Sequence, residues 1–169
     1  MDQANINFSV YEDGTEYYGM ASADMPTLAN LVQAINGAGI GGNIEAIIKG
    51  HTEAMTLKLN FRTTTPQSVK LSEMRRHTID LRVAQQHEDP VSNSINAVAE
   101  KHVMVVIPKN HAVGSIAPAS PSNGSGEYAV RYWATWIEGR KVREIDPMNF
   151  IYMVDGVDYL ADVRKALGK

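Results

Sequence analysis

The residues best suited to acid–base chemistry or metal binding are five histidines, and their spacing supports neither role. No two of them lie four residues apart, and no glutamate stands between two of them as in a zinc peptidase. They are His51, His77, His87, His102 and His111. We expect scattered histidines at the surface or rim of the protein, without a metal site.

Motifs for nucleophilic catalysis and phosphate binding are also missing. The chain has no cysteine, which excludes disulfides, thiolate nucleophiles and cysteine-based zinc sites. It has no G-x-S-x-G elbow, and the serines of Ser115–Ser125 stand in a polar segment that is poorly suited to hold a nucleophile. The glycines of Gly37–Gly42 fit neither the dinucleotide fingerprint nor a P-loop, so they indicate a flexible turn or a backbone contact between subunits. We predict no enzymatic activity and no catalytic, cofactor-binding or metal-binding residue.

Two basic clusters and one aromatic run are features that a nucleic-acid-binding protein would share. The clusters are Arg75–Arg76 and Arg140–Arg143, and the run is Tyr132, Trp133 and Trp136. The chain carries 19 acidic and 16 basic residues, a formal net charge of −3, whereas a duplex-binding protein needs a basic face. We expect the arginines to pair with nearby carboxylates and the aromatic side chains to pack in a core or an interface.

Length and composition indicate a single globular domain over residues 1–169. Hydrophobic residues make up 44% and charged residues 21% of the chain, an ordinary balance for a soluble protein. Met1–Asn5 lacks the basic and apolar regions of a secretory signal. No apolar run approaches the roughly 18 residues of a membrane helix, so we expect synthesis in the cytoplasm and no membrane anchor.

Alternation of apolar and polar residues predicts strands along most of the chain. The alternating or β-branched segments are Ile6–Val10, Met55–Thr63, Thr78–Gln85, His102–Ile107, Glu127–Ile137, Lys141–Ile145 and Asn149–Val154. Tight turns at Asp13-Gly14 and Glu138-Gly139 join neighbouring strands, and Pro108 is expected to end the fourth segment. The polar segment Glu88–Ala99 begins as a loop. Asn110–Gly126 is expected to be a long polar loop, a kind of segment that is usually functional or disordered.

The strand Glu127–Ile137 has apolar side chains on both faces, which requires burial on both faces or a partner on one. Strict alternation places Tyr128, Val130, Tyr132, Ala134 and Trp136 on one face, and Arg131, Trp133, Thr135 and Ile137 on the other. A strand of this composition indicates a neighbour beyond its own sheet.

Two short helices complete the predicted elements. Thr65 caps the first, which begins at Pro66 and runs to about Met74, and Asp158 caps the second. The apolar face of the second helix comprises Leu160, Val163 and Leu167. Seven or eight strands without βαβ alternation predict a mainly β (α+β) fold, an antiparallel β-barrel or two-sheet sandwich with one or two short flanking helices.

The segment Pro26–Ile35 is ambiguous. Its propensity favours a helix, but it is short enough to be a strand or an extended arm. Its apolar residues Leu28, Leu31, Val32 and Ile35 share one helical face. The glycine-rich break Asn36–Gly42 follows.

Three stretches of the chain resemble the major tail tube protein family of contractile-tailed bacteriophages. Arg143–Asp158 (R-E-I-D-P-M-N-F-I-Y-M-V-D-G-V-D) is similar to that family's C-terminal pattern of E-I-D, a strand and a V-N-G-x-D-like turn before a short terminal helix. Asn36–Gly42 (N-G-A-G-I-G-G) is similar to its K-G-A-G-I-A-G segment, and Gly50–Thr63 to its G-H-x-x-S-M-x-L-x-L-N-W-R-T strand. Ala54 and Phe61 depart from the usual Ser and Trp. The stretch Ala84–Gly126 carries no specific resemblance.

The resemblance implies a structural role. It implies subunits in rings of six, with rings stacked around a channel that carries DNA and the tape-measure protein. Expected partners are further copies of the chain, the tail sheath protein, tape-measure and baseplate proteins, and DNA that passes without specific binding. The expected location is the virion tail, after synthesis in the bacterial host. The family fold favours an extended conformation for Pro26–Ile35 within a glycine-rich arm around residues 26–50, with a long polar loop around 110–126.

Two other functions remain open from the sequence. The first is a tube subunit of a phage-tail-like bacteriocin or a type VI-like secretion machine, which shares the subunit fold and differs in cargo. The second, less favoured, is a small β-barrel hydrolase or ligand-binding protein. Neighbouring capsid and packaging genes would favour the phage, and a monomer with a deep pocket would favour the last class.

Overall fold

The computed structural model describes residues 1–169 as a mainly β fold with two short helices. Its elements are β1 (Asp2–Glu12), β2 (Thr15–Tyr17), β3 (Met20–Asp24), β4 (Asn30–Ile35), β5 (Ile44–Thr52), β6 (Met55–Phe61), α1 (Pro66–Lys70), β7 (His77–Glu88), β8 (Ile95–Ala112), β9 (Ser125–Ile137), β10 (Arg140–Asp146), β11 (Ile151–Val154), β12 (Val157–Asp158) and α2 (Ala161–Ala166). The strand count exceeds the predicted seven or eight. Neither helix is long and apolar enough to span a membrane.

Ten strands form one antiparallel sheet that branches at β9. The main path runs β12-β11-β10-β9-β8-β7-β1-β2, while β6 also pairs with β9 and carries β3 on its other edge. The first half of β9 lies beside β6 and the second half beside β10, whereas β8 follows its opposite edge throughout. The remaining strands, β4 and β5, form a separate two-stranded sheet.

The sheet curls around a single hydrophobic core. Val10 of β1 and Leu59 of β6 belong to the same buried cluster, although β7, β8 and β9 separate the two strands in the sheet. The predicted inward row of β6 is confirmed, since Met55, Leu57, Leu59 and Phe61 are all at most 4% exposed. Strand pairing does not continue from β1 to β3, so the curled sheet stays open between them.

A β-bulge at Arg131 changes which face of β9 is buried. Arg131 has no partner in β8, because the register shifts by one residue there. Trp133 thereby joins Tyr128 and Val130 in the core. The strict alternation that placed Trp133 on the opposite face is therefore wrong beyond the bulge, because an inserted residue reverses the alternation.

The hairpin of β7 and β8 is longer than its sequence indicates. β8 continues through Pro108 to Ala112, so the predicted end at Pro108 is wrong. The ladder with β9 is irregular between Pro108 and Asn110, and such a position tolerates proline. The polar loop shrinks to residues 113–124, and the loop at the tip of the hairpin covers only residues 89–94.

Local turn and cap signals are mostly correct. Asp13 and Gly14 both have positive φ, as the predicted tight hairpin requires. Thr65 caps α1 and exchanges hydrogen bonds with Ser68, but α1 ends at Lys70 and not near Met74. The cap predicted for α2 is wrong, because Leu160 holds the N-cap position without a side-chain bond.

The segment around Pro26–Ile35 is extended where the structure forms β4 (Asn30–Ile35), as the family resemblance implies and against its helical propensity. Pairing with β5 supplies backbone partners that an isolated peptide lacks.

Replacement of Leu57 tests the position of the core. We expect Leu57→Ala to lower the free energy of unfolding by about 2–5 kcal/mol, since the side chain is fully buried and its loss leaves a cavity. Urea unfolding measures the change. Val91→Ala is the control, because Val91 is 91% exposed and its truncation should alter stability by no more than about 0.5 kcal/mol. Equal effects of the two substitutions would contradict this core.

Candidate assembly surfaces

The hairpin of β4 and β5, with the turn between them, forms an arm over residues 30–52 that exposes apolar side chains. Six of these side chains are between 40% and 65% exposed: Leu31, Val32, Ile35, Ile40, Ile44 and Ile47. Isolated two-stranded hairpins are marginally stable in water, and contiguous exposed apolar surface marks interaction sites. The arm is therefore the strongest candidate for a surface that another molecule covers.

The base of the arm rests on the C-terminal helix. Gly50 has a φ of +71°, and a Cβ atom built there would lie 2.1 Å from Cδ2 of Leu160. Leu160 is only 4% exposed, so it has little room to move. The Lys49 ammonium also pairs with the Asp162 carboxylate at 2.5 Å. Glycine at position 50 thus permits the close approach that seats the arm on α2.

Helix α2 is itself fixed to the sheet by Arg164. The guanidinium donates to the backbone carbonyl of Phe150 at 2.7 Å and pairs with the Asp158 carboxylate. The hydrogen bond from Arg164 lowers the pKa of Asp158. Asp158 therefore holds the C-terminal segment through an ion pair and accepts a hydrogen bond from the Leu160 backbone, although it is not the N-cap.

The loop of residues 113–124 is folded back on itself by backbone hydrogen bonds. Ser115 donates to the carbonyl of Ser122 at 2.9 Å, and Phe61 donates to that of Gly124 at 2.8 Å. Ile116, near the end of the loop, is 92% exposed. The loop has a defined base and presents its tip to solvent.

Two of the five histidines are not at the surface. No three histidine, aspartate or glutamate side chains lie close enough together to hold a metal ion. His77 is fully buried and His102 is 6% exposed, which corrects the expectation that all five lie at the surface or rim. A local signal was present, because His77 shares an alternating row with buried Ile79 and Leu81, and His102 shares one with Met104 and Val106.

His77 lies in a buried ionic network that joins β1 and β2 to the segment after α1. Its Nδ1 atom is 2.6 Å from the Glu12 carboxylate, and its Nε2 atom is 2.9 Å from the backbone carbonyl of Glu73. Both ring nitrogens therefore face acceptors. Glu12 also accepts from the Tyr17 hydroxyl and from Arg75 at 3.0 Å.

The surroundings of Glu12 favour its charged form. Burial opposes ionisation, but hydrogen bonds from Tyr17 and His77 and the charges of His77 and Arg75 outweigh burial and lower the pKa of Glu12. Burial and the same carboxylate raise the pKa of Tyr17. The network is a structural ion pair that connects three segments of the chain.

His102 forms a second buried pair, with Glu100, beside a cavity. Its Nε2 atom lies 2.7 Å from the Glu100 carboxylate, and the Trp133 indole N–H donates to its Nδ1 atom at 3.2 Å. Because an indole can only donate, Nδ1 is unprotonated and the ring is neutral. Burial lowers the pKa of His102 against the opposing effect of Glu100. The cavity measures about 440 Å³ and lies between β1 and β3.

Most of the basic side chains that sequence singled out pair with carboxylates, as expected. The ion pairs are Arg75–Glu73, Arg75–Glu12, Arg140–Asp155 and Lys141–Glu144. Arg143 instead places its guanidinium 4.0 Å from the centre of the Trp133 ring. Trp136 lies between Lys101 and Lys141. Trp133 and Trp136 therefore take part in packing and cation–π contacts.

A family model described as phage tail tube protein FII matches residues 3–168. The chain belongs to this family. Two solved structures share the fold, each at 8% sequence identity. They are the sheath/tube terminator of the PVC extracellular contractile injection system (TM-score 0.52; 78% of this chain and 94% of the other covered) and its sheath–tube complex (TM-score 0.53; 76% and 87% covered), both in the extended state. No curated protein sequence matches the chain.

The three stretches that carry the tail tube resemblance occupy connected parts of the structure. Asn36–Gly42 forms the tip of the arm, Gly50–Thr63 runs from the arm base into β6, and Arg143–Asp158 spans β10 to β12. The sequence resemblance covers the tip and the strands. The contact of Gly50 with Leu160 was not predicted, and its only signal in the sequence is an isolated glycine within a strand-like segment.

Substitution of Glu12 tests the buried network. We expect Glu12→Gln to lower the free energy of unfolding by about 1.5–3 kcal/mol at neutral pH, since the buried His77 ring and the partly exposed Arg75 lose their contacts with a carboxylate. The contribution of a carboxylate with a lowered pKa is complete above its ordinary value of 4.5 and is lost as the pH falls through the folded-state value. The difference between the variant and the original should therefore shrink in acid.

Urea unfolding of both proteins at neutral and at acidic pH measures this dependence. Glu53→Gln serves as the control because Glu53 is exposed, and it should match the original protein at each pH. A Glu12→Gln variant whose deficit stays constant with pH would contradict the assignment.

Substitution of Gly50 tests the seat of the arm. We expect Gly50→Ala to release the arm from α2, because its Cβ would overlap Leu160 and its φ is positive. Faster tryptic cleavage after Lys49 reports the release. Gly14→Ala is a matched control, because Gly14 has a φ of +77° with no atom near the added Cβ. Gly14→Ala should have similar backbone strain but leave the arm attached to α2. Equal rates of tryptic cleavage after Lys49 in the two variants would contradict the contact between Gly50 and Leu160.

Proposed function

We propose that this protein is a structural, non-catalytic subunit of the inner tube of a contractile tail. Six copies form a ring, and rings stack into a hollow tube within a sheath. The match of the tail tube family over residues 3–168 carries this proposal. The fold likeness to proteins from sheath–tube assemblies supports it.

The arm supplies the physical reason for assembly. Its six exposed apolar side chains belong to a hairpin that has its own small sheet and no strand partner in the rest of the chain. Covering such side chains contributes roughly 25 cal/mol for each Å² removed from water. A second copy that covers the arm would gain this free energy and order the hairpin at the same time.

In the proposed tube, DNA passes through the lumen without binding to its wall. The formal net charge of −3 gives each subunit an excess of the charge that phosphates carry, and like charge opposes adhesion. Tape-measure protein would occupy the lumen before DNA, and baseplate proteins would close the tube at one end. The virion tail is the corresponding location.

The second candidate is a tube subunit of a phage-tail-like bacteriocin or a secretion machine. The observation in its favour is that both structures of similar fold come from an extracellular contractile injection system. The subunit would assemble in the same way, and its cargo would be protein instead of DNA.

Electron microscopy of the purified protein tests the proposal. We expect negative stain to show hollow rings or tubes with six-fold symmetry. Ile47→Asp should abolish them, because a charge on a 65% exposed arm position cannot be buried against another copy without a counter-charge.

Met74→Asp is the matched control. Met74 is 85% exposed and lies outside the arm, so this variant should assemble as the original protein does. A protein that stays monomeric at high concentration would contradict the proposed function, and rings formed by Ile47→Asp would contradict the role of the arm.

A further inference from the structure

The curled sheet is open along one line, between two unpaired strand edges. β2 covers β1 only at Val10–Glu12, so residues 2–9 of β1 have no strand on that side. β3 pairs only with β6, which leaves its other edge unpaired. The cavity of about 440 Å³ lies between these two edges. We name this gap, with its two edges, the β1–β3 cleft.

The cleft has mostly uncharged walls and an apolar floor. β1 lines it with Asn5–Phe8, β3 with Ser22 and Ala23, and β7 with Leu81 and Val83. The Glu100 carboxylate at its inner end is already bonded to neutral partners, the His102 ring and the Gln85 amide. The cleft therefore suits an uncharged segment with apolar side chains.

Neither edge of the cleft carries the lysine or proline that keeps many exposed strands from pairing, although β1 and β3 each contain register shifts and β3 is only five residues long. Soluble proteins protect such edges with lysine, with proline or by covering them. Residues 2–9 and β3 contain no lysine, arginine or proline. Ile6, which lies at a register shift in β1, is 55% exposed at the cleft. Edges of this kind are suited to accept an added strand.

We propose that the β1–β3 cleft receives β4 of the arm of a second copy as an added strand. β4 reads N-L-V-Q-A-I and contains no charged residue, which matches the uncharged walls. Every residue of β4 is exposed, and only one of its edges is paired, with β5. Because its other edge stays paired with β5, β4 would pair with one edge of the cleft, that of β1. The added strand would cover Leu31, Val32 and Ile6.

This inference rests on the proposed function, because it specifies how copies of the chain contact one another. It goes further in naming the two surfaces. Each copy both donates an arm and accepts one, so the contact is head-to-tail. Contacts of that kind generate rings or filaments and do not stop at a dimer.

Cysteine cross-linking tests the inference on a clean background, since the chain has no cysteine. One protein sample carries Ile6→Cys. The other carries Leu31→Cys, Val32→Cys or Gln33→Cys, each tested separately, because the register between β4 and the cleft is not fixed in advance. The two samples are mixed, assembled, oxidised mildly and run on a non-reducing gel. We expect a disulfide-linked dimer in at least one mixture, and mixing separates contact between copies from contact within one copy.

The control mixture pairs each arm variant with Met74→Cys. Met74 is 85% exposed, so its replacement should not disturb folding, and this mixture should give no dimer. Ile6→Lys provides a second measurement. It places a charge at the cleft while the arm stays intact, and it should eliminate rings and tubes in electron micrographs.

The outcomes separate the two proposals. Rings that form without any cross-link from position 6, or that form from Ile6→Lys, would overturn the cleft and leave the tube function standing. A protein that forms no ring or tube would overturn both. A cross-link confined to the Ile6→Cys mixtures, with loss of rings in Ile6→Lys, is the result that supports the cleft.

Discussion

Backbone hydrogen bonds along β9 hold three other strands in place, and the architecture follows from them. β8 occupies one edge of β9 along its full length, while β6 and β10 share the other edge in succession. The bulge at Arg131 stands where β6 gives way to β10, and the bend and twist of a bulge suit such a change of neighbour. One strand can therefore serve both branches of the sheet around one core.

The molecule combines a well-buried core with apolar side chains and strand edges that lack partners within the subunit. The core cluster draws on strands from β1 to β10 and includes a fully buried row in β6. The arm exposes apolar side chains, and two strand edges remain unpaired around the cavity between β1 and β3. These features cost free energy in a lone subunit and become favourable once other copies cover them, which is the behaviour expected of a protein that polymerises.

Much of the fold could be predicted from short-range patterns. The alternation of Met55–Phe61 reflects one buried face, the pair Asp13-Gly14 fixes a turn by its positive φ values, and Thr65 signals the start of α1. The predictions fail where contacts with residues distant in sequence determine the local structure. The bulge at Arg131 depends on the register with β8, and β4 is a strand because β5 pairs with it. The carboxylate partner of His77, Glu12, is remote in sequence, and the surfaces proposed for assembly likewise depend on edges that no local pattern identifies.

The contact between the arm and Leu160 also determines when, during synthesis of the chain, the arm can take up its position. Gly50 leaves the ribosome long before Leu160 does, because synthesis proceeds from the N-terminus. Until the helix that bears Asp162 emerges, the hairpin has nothing to orient it. A nascent or prematurely terminated polypeptide therefore lacks the contacts that fix the direction of the arm.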